Sequence, residues 1–287
     1  MLGMNLNATR MLTGLILGTV AMLCIIQGKF AFLALMLIIL FFATKEYVKI
    51  LNCKGFYPSL SIIVFSEILL AIIAYFQRFD LVAPMFTVGV FCAFLWILFR
   101  GRQPYIANVA TTVLGTVYCG WLPLHLIFLR HLHCDRFHDG LVFVVMVFMT
   151  VMVTDIGCYY AGRHLGKHKL APVISPNKTI EGSIGGAICS VIMAFIIGLY
   201  MGIEWYFCLT IGLLCTISGQ LGDLSESLIK RDAGVKDSGH TLPGHGGFLD
   251  RFDGYIFAIP VMYYFCKHFI FSDHLINTIS TLFKGLF

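Results

Sequence analysis

Asp223-Leu-Ser-Glu226-Ser227-Leu-Ile-Lys230-Arg231, four residues, Lys236-Asp237-Ser-Gly, then Leu242-Pro-Gly-His245-Gly246-Gly247-Phe-Leu-Asp250-Arg251-Phe-Asp253 is the polar centre of a chain that is otherwise mostly hydrocarbon. Charge beside a membrane costs free energy unless something uses it. Here carboxylates suited to a divalent cation stand among bases suited to phosphate, a mixture that points to phosphoryl or nucleotidyl chemistry.

Outward from this stretch, the 287 residues are 59% hydrophobic and only 12% charged. A soluble globule of this length needs far more charge at its surface, so the expected fold is all-α, a polytopic transmembrane helical bundle. Apolar runs of spanning length, roughly 17–25 residues each, fall near 11–28, 30–44, 58–77, 82–99, 107–129, 141–160, 183–203, 205–222 and 254–272. About nine helices are therefore expected, 1–106 forming an N-terminal set and 107–287 a catalytic region with long loops near 161–182 and 223–253. The first run reads as a retained span, since no small-residue cleavage site follows it.

Fourteen of the 20 Lys and Arg residues fall on the N-terminal side of this arrangement. Without the two long loops the count is six against six, so orientation rests on those loops, and they are expected to be cytoplasmic. The ten cysteines include no C-x-x-C pair and read as small buried hydrophobes.

Three constellations carry chemistry. Asp223, Glu226, Ser227 and Lys230 stand at i, i+3, i+4 and i+7, one face of a continuing helix. An interfacial salt-bridge stripe would look the same. Next, Gly244, Gly246 and Gly247 permit positive φ and close approach of backbone N–H groups to an anion. Asp250 and Asp253 follow three apart, with Arg251 able to grip phosphate bidentately. Third, Asp155 and Tyr159 are i, i+4 near the end of the sixth run, and Lys178 and Thr179 precede a helix start carrying Glu181. That start is a plausible phosphate seat, although it lacks Walker A spacing.

Together these pieces resemble the CDP-diacylglycerol synthase (phosphatidate cytidylyltransferase) family. Its C-terminal signature, Ser-x-apolar-Lys-Arg-x4-Lys-Asp-x-Gly-x2-Leu-Pro-x-His-Gly-Gly-apolar-x-Asp-Arg-apolar-Asp, is matched at every specified position by Ser227 to Asp253. The upstream Ser-Pro-x-Lys-Thr-x-Glu-Gly is matched at 175–182, with Asn177 where many members carry Lys or Gly. The likeness is specific over about 154–254, and the first hundred-odd residues match only in hydropathy.

The resemblance implies CTP and phosphatidate as substrates, in a multi-pass protein of the bacterial inner membrane with a cytoplasmic site. It implies Mg2+, with a second cation left open, held by Asp223 and Asp250 with Glu226 and Asp253 as supporting or alternative ligands. Lys230, Arg231, Lys236, Arg251 and His245 would meet or orient phosphates. Substrate contacts would fall at Asp155, Tyr159, Ser175, Lys178, Thr179, Glu181, Ser227, Asp237, Gly246 and Gly247. No nucleic-acid partner is expected, and a homodimer is left open. A CTP-dependent lipid-alcohol kinase could use the same inventory, but the full Lys-Asp-x-Gly to Asp-Arg-x-Asp run argues against it. An ion-coupled transporter would place its charges mid-helix.

Other polar residues read more plainly. Glu67 is expected to pair across helices or at a dimer contact. His125, His131, His133 and His138 are expected to be loop residues, since no ligand spacing repeats. Lys45, Lys49, Lys54, Arg100 and Arg102 read as topology and headgroup anchors.

Overall fold

In the computed structural model, the described residues are 18–133, 140–239, 241 and 246–271. Helix α1 is Gly18–Gln27. It is followed by α2 (Lys29–Cys53), α3 (Leu60–Tyr75), α4 (Val82–Arg100), α5 (Tyr105–Gly115), a π-helical turn at Thr116–Trp121 and α6 (Leu122–Arg130). Then come α7 (Leu141–Leu165), strands β1 (Lys169–Ala171) and β2 (Ser175–Thr179), α8 (Ile180–Tyr200), α9 (Trp205–Asp232), α10 (Leu249–Phe265) and a second π-helical turn, Cys266–Ile270.

Among the described residues six helical stretches are long and apolar enough to cross a membrane: Lys29–Cys53, Phe79–Arg100, Tyr105–Arg130, Leu141–Leu165, Ile180–Tyr200 and Trp205–Asp232. The expected all-helical, multi-pass architecture is present, while the count of nine is not established. The run at 58–77 yields only the 16-residue α3. Residues 1–17, where the first run begins, lie outside the described residues. The sixth and eighth runs continue as unbroken helices to Leu165 and Asp232, so Asp155 and Tyr159 sit inside α7, and Asp223, Glu226 and Lys230 stand on a continuing helix as expected. The long loop at 161–182 also contains an antiparallel hairpin, with Lys169 opposite Thr179 and Ala171 opposite Ser175.

The chain divides into two compact units. The first comprises Met1–Ile127 and Ser225–Ile256; the second comprises Phe128–Leu224 and Phe257–Phe287. In the first, α2 buries Phe32, Met36, Leu40, Ala43, Tyr47 and Ile50, a three-and-four spacing that puts them on one stripe. Tyr47 fills the centre, its hydroxyl donating to the Thr111 carbonyl at 2.9 Å. Gly115 makes room for it, since a Cβ there would lie 2.8 Å from the Tyr47 ring and 2.7 Å from Ile63. The α2–α3 pairing buries Glu67, which accepts a hydrogen bond from Thr44 across the two helices. Glu67 is thus a structural partner, one of the two roles expected for it. His125 departs from expectation: it is fully buried in α6, and its ring Nδ1–H donates to the Trp121 carbonyl at 2.8 Å.

The second unit is built on small residues. On α8 the buried positions are Gly182, Gly186, Ser190, Ala194 and Gly198, a strict period of four. Lipid tails are as apolar as leucine, so membrane helices associate through close van der Waals approach and interhelical hydrogen bonds rather than water exclusion. A Cβ on Gly186 would lie 2.4 Å from the Cys158 sulfur and 2.8 Å from the Thr154 carbonyl, so α7 and α8 are in backbone contact there. On the α9 side, Ser190 donates to the Gly212 carbonyl at 3.0 Å. Ser183 and Gln220 then bond twice, the Ser183 hydroxyl to the Gln220 carbonyl and the Gln220 amide to the Ser183 carbonyl at 3.3 Å. This zipper fixes the register that brings Lys178 to Asp223.

Candidate active site

The signature residues gather in two clusters, one in each unit. In the first, Glu226 and Lys230 are one turn apart on α9, and Asp250 opens α10. Lys230 ion-pairs with both: its Nζ is 2.7 Å from Asp250 Oδ1 and in direct contact with Glu226. The Glu226 carboxylate is fully buried, in contact with the Lys230 ammonium. Asp250 is richer in partners. It accepts the Ser238 N–H at 3.1 Å and the Gly247 N–H at 3.3 Å. Burial pushes its carboxyl up, but the Lys230 ammonium and the Ser238 N–H more than offset this and hold Asp250 down to about 2.

Just before α10 the backbone requires glycine at two points. Gly246 sits at φ +86°, the left-handed region that side chains avoid. At Gly247 a Cβ would come within 1.9 Å of the Ser238 hydroxyl and 2.5 Å of Glu46 Oε2, so only hydrogen fits. The residue facing them, Glu46 on α2, gave no signal in the sequence beyond standing between Lys45 and Lys49. It is 4% exposed, and it accepts from Ser238 Oγ at 3.1 Å, Thr241 Oγ1 at 2.5 Å and Leu249 N at 2.9 Å. A carboxylate in a polytopic chain, far in sequence from any motif, reads as one more anchor until the fold places it.

Around this cluster Arg231, Lys236, Asp237 and Arg251 are exposed, and Ser227 and Asp253 are partly buried. Asp253 accepts its neighbour Gly254 N–H at 2.7 Å. His245 lies outside the described residues.

In the second cluster Lys178, at the end of β2, pairs with Asp223 of α9 at 2.5 Å. Asp155 is exposed on α7, and with Lys178 and Asp223 it is close enough to act electrostatically on Cys158. Tyr159 is also exposed, its hydroxyl accepting from Arg163 at 3.1 Å. Ser175 begins β2 opposite Ala171. Two further residues named for substrate contact make bonds within the protein. Thr179 caps α8, its Oγ1 accepting the Gly182 N–H at 3.1 Å. Glu181 is turned to the 167–168 backbone, accepting from Lys167 N at 3.0 Å, His168 N at 3.2 Å and His168 Nδ1 at 2.6 Å.

Asp223, Glu226, Asp250 and Asp253 supply hard oxygen donors, the chemistry that suits Mg2+. Among the described residues no three His, Cys, Asp or Glu side chains converge as a metal cage. Ammonium groups hold these acids instead, Lys178 at Asp223 and Lys230 at Glu226 and Asp250.

Comparison with known proteins agrees with the geometry. A model of the "Cytidylyltransferase family" matches residues 8–269. The chain is 35% identical over 269 residues to a phosphatidate cytidylyltransferase of Synechocystis, covering 84% of this chain and 90% of that protein. It is 52% identical over 126 residues to the protein of that name from Staphylococcus haemolyticus, covering 43% of this chain and 48% of that one. The corresponding match in Staphylococcus aureus is 50% over 126 residues. With its signature residues gathered at the ends of membrane helices, this chain belongs to the cytidylyltransferase family, as a multi-pass membrane enzyme.

Proposed function

We propose that this enzyme transfers CMP from CTP to phosphatidate, giving CDP-diacylglycerol and pyrophosphate, at the cytoplasmic face of a bacterial inner membrane. The observation that carries the reading is the Lys230 bridge between Glu226 and Asp250, inside the stretch that matches the family signature. A phosphate oxygen of phosphatidate attacks the α-phosphorus of CTP. The bond from that phosphorus to the β-phosphate oxygen breaks, and its electron pair leaves with pyrophosphate. The nucleophile is the lipid's own phosphate, so no protein nucleophile is needed, and catalysis is positioning and charge stabilisation.

Two polyanions must meet, and their repulsion is what the side chains offset. Arg231, Lys236 and Arg251, all exposed, would meet the phosphates of CTP or the lipid. Lys230 and Lys178 sit deeper, each already beside a carboxylate. Asp223 and Asp250, each in its own cluster, would offer Mg2+ a carboxylate ligand, with Glu226 and Asp253 of the Asp250 cluster in supporting roles. Once bound, the cation supplies Lewis-acid polarisation and neutralises phosphate charge.

The labelling pattern of CTP tests this. With phosphatidate supplied, α-labelled CTP should label a lipid, and γ-labelled CTP should label only released pyrophosphate. Label entering lipid from the γ position would mean kinase chemistry, and label from neither position would leave the reading unsupported.

A further inference from the structure

We infer that Glu46 is a positioning residue for the reaction: a buried acceptor on α2 that holds Ser238, Thr241 and Leu249 so that Asp250 is presented to Lys230. The inference rests on the proposed roles of Asp250 and Lys230 in cytidylyl transfer.

Glu46 lies far from the signature in sequence, yet its two carboxylate oxygens accept from three donors of one segment. Oε2 takes Ser238 Oγ at 3.1 Å and Leu249 N at 2.9 Å, and Oε1 takes Thr241 Oγ1 at 2.5 Å. Gly239 and Gly247 close over the carboxylate, since a Cβ on either would come within 3.0 Å and 2.5 Å of its oxygens. Fixing the backbone at Gly239, Gly246 and Gly247 costs conformational entropy. One buried acceptor shared by Ser238, Thr241 and Leu249 offsets part of that cost.

The consequence reaches Asp250 in one step. Ser238 gives its hydroxyl to Glu46 and its N–H to Asp250, at 3.1 Å each. Leu249, bonded to Glu46 through its N–H, is the residue before Asp250. Loss of Glu46 therefore frees both the residue that donates to Asp250 and the residue that carries it. No Lys or Arg ion-pairs with Glu46 among the described residues, so hydrogen-bond acceptance, not charge neutralisation, is what its position offers.

The two functions of a carboxylate can be separated. Gln keeps one acceptor oxygen for Ser238 and Leu249, and the Thr241 hydroxyl can rotate to accept from its amide. Ala keeps neither. The full chain carrying Glu46→Gln or Glu46→Ala, purified in detergent, is assayed with α-labelled CTP and phosphatidate for kcat and KM, alongside thermal unfolding. Expected is a kcat loss of tenfold or more in Glu46→Ala, and a kcat within about threefold of wild type in Glu46→Gln. If Gln is as damaging as Ala, the negative charge is what matters and the positioning role is overturned. A Glu46→Ala enzyme with wild-type kcat also overturns it.

Should Glu46→Ala fail to fold, Ser238→Ala combined with Thr241→Val removes the two hydroxyl donors and leaves the acid in place. This variant should lose kcat severalfold, and unchanged kcat rejects the inference. Asp250→Asn is measured beside them. Full turnover in Asp250→Asn would remove the role given to Asp250, while Glu46 is still judged by its own Gln and Ala pair.

Discussion

Lys230 is shared: its ammonium stands 2.7 Å from Asp250 and also contacts Glu226, whose carboxylate is fully buried. One cation thus balances two acids, and only 13% of its side chain is exposed. Breaking a buried pair by removing one partner costs about 3–5 kcal/mol, because the remaining charge is left uncompensated. Lys230→Met should therefore lower the unfolding temperature and abolish turnover. The double variant Lys230→Met/Glu226→Gln should recover much of the stability and none of the activity. Thermal unfolding of detergent-purified protein with the labelled-CTP assay separates the two, and an unshifted Lys230→Met melt would show that the pair contributes no stability.

Lys178 and Asp223 predict a different balance. Their side chains are 25% and 32% exposed, against 13% and 0% for Lys230 and Glu226, so this pair should contribute less stability than that one. Lys178→Met and Asp223→Asn should each cut turnover by orders of magnitude while unfolding within a few degrees of wild type. A loss of stability matching the loss of rate would make this pair a structural tie rather than part of the chemistry.

The carboxylates carry the metal proposal. Chelation should abolish wild-type activity and added Mg2+ restore it, and Asp250→Asn should need far more Mg2+ or none should suffice. Mg2+ titrations of initial rate check this, and an Asp250→Asn enzyme with an ordinary Mg2+ requirement would remove Asp250 from the ligand set.

Close helix contact makes its own prediction. At Gly186 any side chain meets the Cys158 sulfur and the Thr154 carbonyl, so Gly186→Leu should force α7 and α8 apart at a cost of about 1–3 kcal/mol or more. Gly89 is a control, since a Cβ there meets only Ser66 Oγ at 3.8 Å. Gly89→Ala should express and melt as wild type, and Gly186→Leu should not. Equal melts would mean the α7–α8 contact is looser than its geometry.

Orientation can be read from single cysteines. Cys53 ends α2 and is exposed, while the Arg78 side chain before α4 is 58% exposed. If the N-terminal side is cytoplasmic, an impermeant thiol reagent on intact cells should label Arg78→Cys and spare Cys53 in otherwise cysteine-free backgrounds. The reverse labelling would put the signature residues on the wrong side for cytosolic CTP.

Hydropathy determined the class of fold, because a span needs only local sequence: about 20 apolar residues make their own backbone hydrogen bonds wherever they lie in a bilayer. The i, i+4 relation of Glu226 and Lys230 was legible for the same reason, helical geometry being local. Where helices end was less so, since α7 and α9 run on past their apolar stretches to Leu165 and Asp232. Partner choice was not local at all. Nothing near Thr179 or Glu181 in sequence says that one caps a helix and the other holds the 167–168 backbone. Lys178 meets Asp223 only because Ser183 and Gln220 set the register of α8 on α9. Glu46 meets Ser238 and Leu249 only because the fold brings α2 to them. A carboxylate looks the same in sequence whether it faces water, a cation or three N–H and O–H donors. Only the tertiary structure decides, because which donors come within 3 Å of it depends on how the distant parts of the chain pack.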